Sequence, residues 1–263
     1  MPKVIWMSDL HFAPDGDVLG HDPRQRLDAA VGYINRHHGD AECCVISGDL
    51  VDHATAEGYT ALRAHLDRLR VPYLPMVGNH DDRTLMVESL PVPKDRLDGF
   101  VQYAVDLPGA VLLCLDTLIP GEGAGALCAA RLDWVQAQLR ARPDVPAYLF
   151  MHHPPVPLGL PAQDPIGLRN GAEFMAMLAQ FPTVRHVFAG HVHRPCSAMV
   201  RGIGVTTARS VLMQAPAPWP AWDWGSFAPA PEAPSIGVIG IDGADMWQQQ
   251  VEFCVAGFRV TGR

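Results

Sequence analysis

Residue types that bind metal ions recur at five places in the sequence, each directly after a short apolar run. The first is the pair Asp9 and His11, which follows KVIWMS; the others lie in SGDLVD, GNHDD, MHHPP and AGHVH. Their carboxylate, imidazole and amide groups, with no thiolate among them, suit Mn, Fe, Zn or Co. The predicted metal ligands are Asp9, His11, Asp49, Asn79, His152, His191 and His193.

Seven protein ligands are roughly what two adjacent ions need when one carboxylate bridges them. Gly48, Gly78 and Gly190 each directly precede one of the predicted ligands. A residue without Cβ lets the backbone turn sharply and approach a site closely. Two divalent ions would bring a charge of +4, of which Asp9 and Asp49 cancel two. The site would therefore be locally positive and would attract a phosphate group.

The apolar runs before these residues are predicted strands, and amphipathic helical patterns alternate with them. KVIWMS, CCVIS, YLPMV, AYLFM and VRHVFAG are the strand candidates, while residues 24–39, 55–70, 126–141 and 170–181 have helical spacing. We expect Thr55 and Gly39 to cap two of these helices. In open α/β sheets ligands bind at the carboxyl ends of strands, which is where all five ligand groups fall.

The remaining segments are predicted to be mainly β-structure. VQYAVDL and AVLLCLD indicate a hairpin around Pro108–Gly109, and strands are expected near 196–201, 203–208, 236–242, 246–253 and 256–261. Between them, residues of about 214–235 are rich in Pro, Ala and Trp, and we interpret this segment as a flap containing Trp219, Trp222 and Trp224. The α/β alternation followed by strands predicts a layered α/β sandwich, and we expect a single domain over 1–263.

Composition narrows the possible partners and the compartment. The chain has 263 residues, of which 48% are hydrophobic and 18% charged, with a net charge of −8. This acidic balance argues against a nucleic-acid polymer as partner. The N-terminus does not resemble a secretory leader, and no apolar run approaches the ~20 residues that span a membrane. Six cysteines without CxxC spacing indicate reduced thiols, so we expect a cytoplasmic protein without a membrane partner.

The five blocks D-x-H, G-D-x-x-D, G-N-H-D, H-H-P-P and G-H-x-H, in this order, resemble the calcineurin-like metallophosphoesterase family. The resemblance implies a four-layer α/β/β/α sandwich of two mixed β-sheets flanked by helices. It also implies a first ion held by Asp9, His11, Asp49 and His193, and a second held by Asp49, Asn79, His152 and His191. His80 would then protonate the leaving group, and His153 would lie outside the ligand set.

HHPPVPLG, DPIGLRNGAEF and FPTVRHVFAGHVH are similar to the cyclic-nucleotide and glycerophosphodiester phosphodiesterase branch of that family. This implies hydrolysis of a small phosphodiester by a metal-bridging hydroxide, with Asn170 and Arg169 facing the substrate. It also implies a homo-oligomer. We expect Asp52 or Asp81 to orient an imidazole, although Asp52 equally suits a cap for the helix near Thr55.

Two other functions stay open at this point. A phosphomonoesterase or phosphonate monoesterase would use the same dinuclear site, but the motif blocks lack the dense Arg/Lys cluster that suits a dianion. A non-catalytic scaffold with this fold would usually have lost ligands or the acid histidine, and none is missing here.

For the flap, three roles are open: covering the pocket, stacking on a base, or contacting a second copy of the chain.

Overall fold

Two mixed β-sheets lie face to face between two layers of helices in the computed structural model, which describes residues 1–257. The strands are β1 Lys3–Met7, β2 Cys43–Ile46, β3 Tyr73–Pro75, β4 Tyr103–Leu107, β5 Ala110–Cys114, β6 Ala147–Met151, β7 Val184–Ala189, β8 Ser197–Val200, β9 Ile203–Thr207, β10 Ser235–Asp242 and β11 Asp245–Glu252. The helices are α1 Pro23–His37, α2 Ala56–Leu66, α3 Arg83–Ser89, α4 Ala129–Ala141 and α5 Gly171–Leu178, with a 3-10 turn at Asp164–Ile166.

The order of strands places the strands that precede the ligand motifs side by side, with β3 at the edge of its sheet and the other four in sheet interiors. One sheet has the order β11-β10-β1-β2-β3, in which β1, β2 and β3 are parallel. The other has the order β4-β5-β6-β7-β9-β8, in which β5, β6, β7 and β9 are parallel. Because parallel neighbours end at the same edge, the segments after β1, β2 and β3 emerge together, and so do those after β6 and β7.

Aromatic packing joins the two sheets. The Trp6 ring of β1 meets the rings of Phe150 and Phe188 edge-on, with centroids 6.1 and 5.2 Å away. Phe150 and Phe188 stack on each other at 4.7 Å, and all three residues are fully buried. The indole N–H of Trp6 donates to Ser47 Oγ at 2.8 Å, so its polar atom is satisfied inside the core. This contact fixes the face-to-face position of the sheets beside the ligand loops.

Apolar helix faces cover the outer sides of the sandwich. Leu27, Val31 and Ile34 of α1 belong to the core that includes the first sheet. On the far side, Val135 of α4 and Phe174 of α5 pack in a second core with the outer face of the second sheet. The observed order of layers is thus helix, sheet, sheet, helix, as the family resemblance implied.

Most predicted elements are present, with shifted ends. β6 matches AYLFM residue for residue, and Thr55 caps α2 by accepting from Gly58 N at 3.0 Å. The expected cap at Gly39 is wrong, because α1 ends at His37 with His38 as the capping residue. The predicted strand 256–261 lies outside the described residues except for 256 and 257, which form a turn.

Helix α3 was not predicted from the sequence. Its N-cap is Asp82, whose carboxylate accepts from Leu85 N at 2.9 Å. The helix has only seven residues, too few for a clear 3.6-residue period, and Met86 is its buried residue. The second aspartate of GNHDD therefore starts a helix.

Replacing Trp6 by alanine should reduce the free energy of unfolding by about 3–5 kcal/mol, because the change empties a buried site between the sheets. Urea denaturation measures this loss. Met199→Ala is the matched control: Met199 is 72% exposed, and we expect a change within about 0.5 kcal/mol. A loss below about 1 kcal/mol for Trp6→Ala would contradict the assigned role of this ring.

Candidate metal centre

The five ligand-bearing segments converge at the carboxyl ends of β1, β2, β3, β6 and β7. Hydrogen bonds between segments distant in sequence hold them together. His191 N donates to both carboxylate oxygens of Asp9, at 3.0 and 3.2 Å, and His80 N donates to Asp49 Oδ1 at 3.0 Å. Backbone bonds from Asp9 N to Gly48 O and from His11 N to Asp49 O connect the first two segments.

A first set of ligand atoms comprises Asp9, His11, Asp49 and His193, all buried. His193 Nε2 lies 3.3 Å from Asp9 Oδ1 and 3.2 Å from His11 Nε2. His11 Nε2 lies 3.5 Å from Asp49 Oδ2. The four ligand atoms therefore surround one small volume.

A second set lies directly beside the first and shares Asp49 with it. His152 Nε2 is 3.3 Å from Asp49 Oδ2 and 3.0 Å from Asn79 Oδ1. His191 Nδ1 is 3.0 Å from Asn79 Oδ1 and 3.2 Å from His152 Nε2. Asp49 Oδ2 thus lies between His11 of one set and His152 of the other, as a bridging carboxylate would.

The other ring nitrogens hold two imidazoles by hydrogen bonds and a third by proximity to a carboxylate. His152 Nδ1 donates to Ser47 O at 2.9 Å, and His193 Nδ1 donates to Met213 O at 3.0 Å. A carbonyl oxygen can only accept, so both rings carry a proton on Nδ1 and, when neutral, present the Nε2 lone pair to the cluster. His11 Nδ1 lies 3.3 Å from Asp52 Oδ1, an arrangement typical of metal-binding histidines.

Asp52 and Asp81 have different environments from each other. Asp52 faces the His11 ring, while Thr55 caps the adjacent helix, so the orienting role fits Asp52. Asp81 has no imidazole partner within residues 1–257; its carboxylate accepts from Gly78 N at 2.8 Å, from Leu50 N and from the Tyr59 hydroxyl. Of the two alternatives, the contacts favour Asp52 over Asp81. Asp81 instead joins the two loops that bear Asp49 and Asn79.

The two histidines of HHPP also make different contacts. His153 is fully buried, accepts from the Thr117 hydroxyl at its Nδ1, and donates from Nε2 to Gly123 O at 3.1 Å. Both of its nitrogens are therefore occupied, and burial, followed by the nearby His191, keeps its pKa well below the usual value. His152 directs its Nε2 toward Asp49 and Asn79 in the cluster and is therefore the better candidate ligand.

Backbone strain concentrates at this site. Within residues 1–257, five of the seven non-glycine residues with positive φ are predicted ligands: Asp9, His11, Asp49, His191 and His193. Such conformations cost about 1–3 kcal/mol each and persist where the surroundings impose them. These backbone conformations lower local stability, but they direct the five side chains toward one point.

The glycines before the ligands are needed for space. A Cβ on Gly78 would lie 2.2 Å from Asp49 Oδ1, and one on Gly190 would lie 2.1 Å from Ser8 Oγ. Gly48 has a φ of +97°, and its Cβ would lie 2.6 Å from His152 Nδ1. Any side chain at these positions would displace a ligand or the core beneath it.

Electrostatic interactions within the cluster keep its carboxylates ionised. Burial alone would raise the pKa of Asp9, but His193 and His152 together outweigh it and lower that pKa to about 2. Asp49 behaves alike: burial opposes ionisation, yet His152 brings its pKa well below the usual value. Burial, followed by the charge of His152, lowers the pKa of His191 to about 3. Against the effect of burial, Asp49 raises the pKa of His152 to about 9, and Asp9 raises the pKa of His193. Metal ions bind ionised carboxylates and neutral imidazoles, so metal binding would displace the protons of these two rings.

The donor set fits bound cations. The Nε2 atoms of His11 and His193 are only 3.2 Å apart, and two lone pairs at this distance repel unless a cation or a proton lies between them. Ligand atoms at ~2.1 Å from one ion are about 3.0–3.4 Å apart in octahedral or tetrahedral geometry, which matches the spacings measured here. The residues therefore form a candidate dinuclear metal site.

A cavity of about 570 Å³ opens above the two ligand sets. Its floor includes His11, Asp49, Asn79, His191 and His193. His80 also lines it, as it does a neighbouring cavity of about 360 Å³ whose wall contains Glu122. The His80 ring donates from Nδ1 to Asp52 O at 2.8 Å, and it is exposed to solvent.

The two predicted substrate contacts lie apart from the cavity floor. Asn170 donates to and accepts from the backbone of Leu127, at 2.8 and 3.0 Å, and does not belong to the lining of either cavity. Arg169 pairs with Glu122 at the edge of the smaller cavity. Asn170 therefore connects the start of α5 to Leu127. Arg169 is near the smaller cavity only because it pairs with Glu122, which lines that cavity.

Residues 2–195 match the sequence model of the family described as calcineurin-like phosphoesterase. The chain belongs to the calcineurin-like phosphoesterase family. Among the relatives of this phosphoesterase, a probable cyclic nucleotide phosphodiesterase from Rhodopseudomonas palustris is 38% identical over 81% of this chain and 79% of its own. A glycerophosphodiester phosphodiesterase from Enterobacter lignolyticus is 34% identical over 80% and 77%. The fold is similar to that of a dimetal phosphatase from Danio rerio, with a TM-score of 0.74, 18% identity and coverage of 98% and 99%.

Several contributors to the phosphoesterase site were not predicted from the sequence. The carbonyls of Ser47 and Met213 hold ligand imidazoles, and any residue type supplies a carbonyl. Gln163, directly before DPIGLRNGAEF, and Phe227, within the predicted flap, line the main cavity although neither was named as a site residue. The Pro- and Trp-rich composition of the flap was the available signal for Phe227, whereas the residue type of Gln163 gives none.

Gly78→Ala should remove at least half of the bound metal, because the new methyl group would overlap Asp49 Oδ1 and the backbone N of the same residue. Elemental analysis after metal loading measures the stoichiometry. Gly32→Ala is the matched control: its Cβ in α1 meets only the flexible end of Arg36, at 3.3 Å. Two ions per chain in the Gly78→Ala protein would contradict the assigned packing.

Proposed function

We propose that this phosphoesterase hydrolyses small phosphodiesters at two metal ions bound on the cavity floor. Asp9, His11, Asp49 and His193 would hold one ion, and Asp49, Asn79, His152 and His191 the other. The observation that carries the proposal is the pair of adjacent ligand sets that share Asp49 Oδ2 beneath an open cavity. The names of the two relatives described above support the class of substrate.

Bound divalent ions would supply Lewis acidity toward phosphoryl oxygens and would make a water molecule acidic near neutral pH. The chain itself fixes the geometry. Asp52 and the carbonyls of Ser47 and Met213 hold three imidazole rings, so the ligands need little rearrangement when the ions bind. The Asp81 carboxylate accepts hydrogen bonds from Leu50 N, the Tyr59 hydroxyl and Gly78 N. It thereby connects the loop after β2 to the loop after β3.

His80 is the proposed proton donor to the leaving group. Its Nδ1–H is committed to Asp52 O, so any proton it transfers leaves from Nε2. The ring meets His11 edge-on, with centroids 4.6 Å apart, which places it at the border of the first ligand set. It also lines both cavities, so it lies between two spaces able to hold the two ester groups of a diester.

The charge of the site favours a diester over a monoester. Neither cavity has Lys or Arg among its described lining residues, and the nearby Arg169 is paired with Glu122. Positive charge would come from the ions and protonated histidines alone. A phosphodiester carries one negative charge where a monoester carries up to two, so the site matches the diester more closely.

We further propose Mn, Fe, Zn or Co as the ions, since the donors are nitrogen and oxygen without thiolate. All six cysteines are free thiols, which supports a reducing, cytoplasmic compartment. No helix in the described part of the chain has the length and hydropathy to span a membrane. Formation of a homo-oligomer stays a prediction from the resemblance.

With the metal-loaded protein, kcat/KM for bis(p-nitrophenyl) phosphate should exceed that for p-nitrophenyl phosphate. Release of p-nitrophenol measures both. A preference for the monoester above about tenfold would overturn the assignment as a phosphodiesterase, and no turnover of any phosphoester by the fully loaded protein would favour a non-catalytic scaffold.

His80→Ala should lower kcat for diesters with alkyl alcohol leaving groups by about 10²–10⁴-fold, the usual contribution of general acid catalysis. Esters of p-nitrophenol, which leaves readily without a proton, should lose less than about tenfold. His37→Ala, an exposed histidine at the end of α1, is the control and should leave both rates unchanged. Equal losses for both classes of leaving group would exclude the acid role.

A further inference from the structure

Aromatic residues of the 214–235 flap form a cluster beside the metal centre. The rings of Trp222, Trp224 and Phe227 lie within 5.3–5.8 Å of one another by their centroids. Trp224 and Phe227 line the main cavity, whereas Trp222 lines a small adjoining crevice with Leu160. Trp224 is nonetheless 55% exposed, so a large aromatic surface remains uncovered at the wall of the site.

This wall is fastened to the ligand segments. Ala215 N donates to His193 O at 3.1 Å, which ties the start of the flap to a predicted ligand. Arg194, the next residue, donates to Ala215 O and pairs with Glu232 at 2.9 Å, so it holds both ends of the flap. At the tip, Asp223 accepts from Ser226 N at 2.9 Å and closes the turn that carries the aromatic cluster. The aromatic rings are therefore held in position relative to the metal centre.

The rest of this wall suits a planar group with a polar edge. Val18, Leu19, Ile166 and Met213 add apolar surface to the same cavity. Gln163 is 97% buried there, and its Nε2 donates to Val192 O at 2.9 Å, which leaves Oε1 as the free acceptor. Gln163 Oε1 has no partner among the described residues. A ligand that fills this space should stack on the rings and supply an N–H or O–H to Gln163.

We propose that Trp224 and Phe227 form a base-stacking subsite, with Gln163 Oε1 as an acceptor for the nucleoside. This inference rests on the proposed phosphodiesterase function and names its substrate class: a nucleotide diester. A nucleobase offers both a stacking face and N–H donors, whereas a glycerol diester offers no aromatic face. The cavity of about 570 Å³ lies within the size range of pockets that hold small ligands.

Calorimetric titration of the metal-loaded protein with adenosine 5′-monophosphate and with ribose 5-phosphate tests the subsite, because ribose 5-phosphate has a hydroxyl where the nucleotide has its base. The nucleotide should bind at least tenfold more tightly, a difference of about 1.4 kcal/mol. Trp224→Ala should abolish most of this advantage and leave ribose 5-phosphate affinity within twofold. Trp224→Phe should restore most of it, since it keeps an aromatic face.

Trp219→Ala is the matched control. Trp219 lies in the same flap, is 70% exposed and does not line the cavity, so both affinities should stay unchanged. Gln163→Met, which keeps the size of the side chain but removes the acceptor, should weaken adenosine 5′-monophosphate about fivefold. Unchanged affinity in that variant would remove Gln163 from the subsite.

An activity measurement separates this inference from the function on which it rests. In Trp224→Ala, kcat/KM for 3′,5′-cyclic AMP should fall about tenfold, while that for glycerophosphoethanolamine stays within twofold. Absence of diester hydrolysis in the unmodified protein would refute the proposed function. Diester hydrolysis together with equal binding of the two ligands would refute the subsite alone. A loss of self-association in Trp224→Ala without any change in nucleotide binding would likewise refute it, and would make the flap an interface between copies.

Discussion

The bridging position of the Asp49 carboxylate is the constraint on which the rest of the structure depends. One of its oxygens lies within 3.5 Å of imidazoles from both ligand sets, and the other accepts from His80 N. To reach this position the residue adopts a positive φ between Gly48 and a loop fixed by Asp81, with Gly78 pressed against its side chain. Because these loops come from neighbouring parallel strands, the site requires the sheet order as much as the ligand residues themselves.

Stability and function oppose each other at this edge of the sandwich. Five residues with unfavourable backbone conformation and several buried charges lie together, and each would destabilise an isolated loop. The aromatic contact of Trp6 with Phe150 and Phe188 lies where the two sheets meet and stabilises the fold against these unfavourable terms. The cluster is thus held by packing below it and by hydrogen bonds around it, which keep the candidate ligand atoms close together.

The flap adds a different kind of surface to the same site. The floor of the cavity is polar and ionised, whereas the wall formed by Trp224 and Phe227 is apolar and aromatic. Arg194 and Glu232 connect this wall to the segment that bears His193. A site with an ionic floor and an aromatic wall can bind the phosphate and the organic part of a substrate by separate interactions, so the chemistry and the substrate preference can vary independently.

By itself the sequence determined the ligand types, their order and their attachment to strand ends, because these follow from local patterns: apolar runs, glycine and a polar residue within a few positions. It also identified the layered fold and the caps with an unambiguous partner, such as Thr55. The resemblance had already favoured His152 over His153, but only the tertiary structure shows the different contacts of these two, of Asp52 and Asp81, and of Trp224 and Trp219. In each pair the residue types are the same, and the difference lies in which carbonyl, hydroxyl or ring approaches from a distant part of the chain.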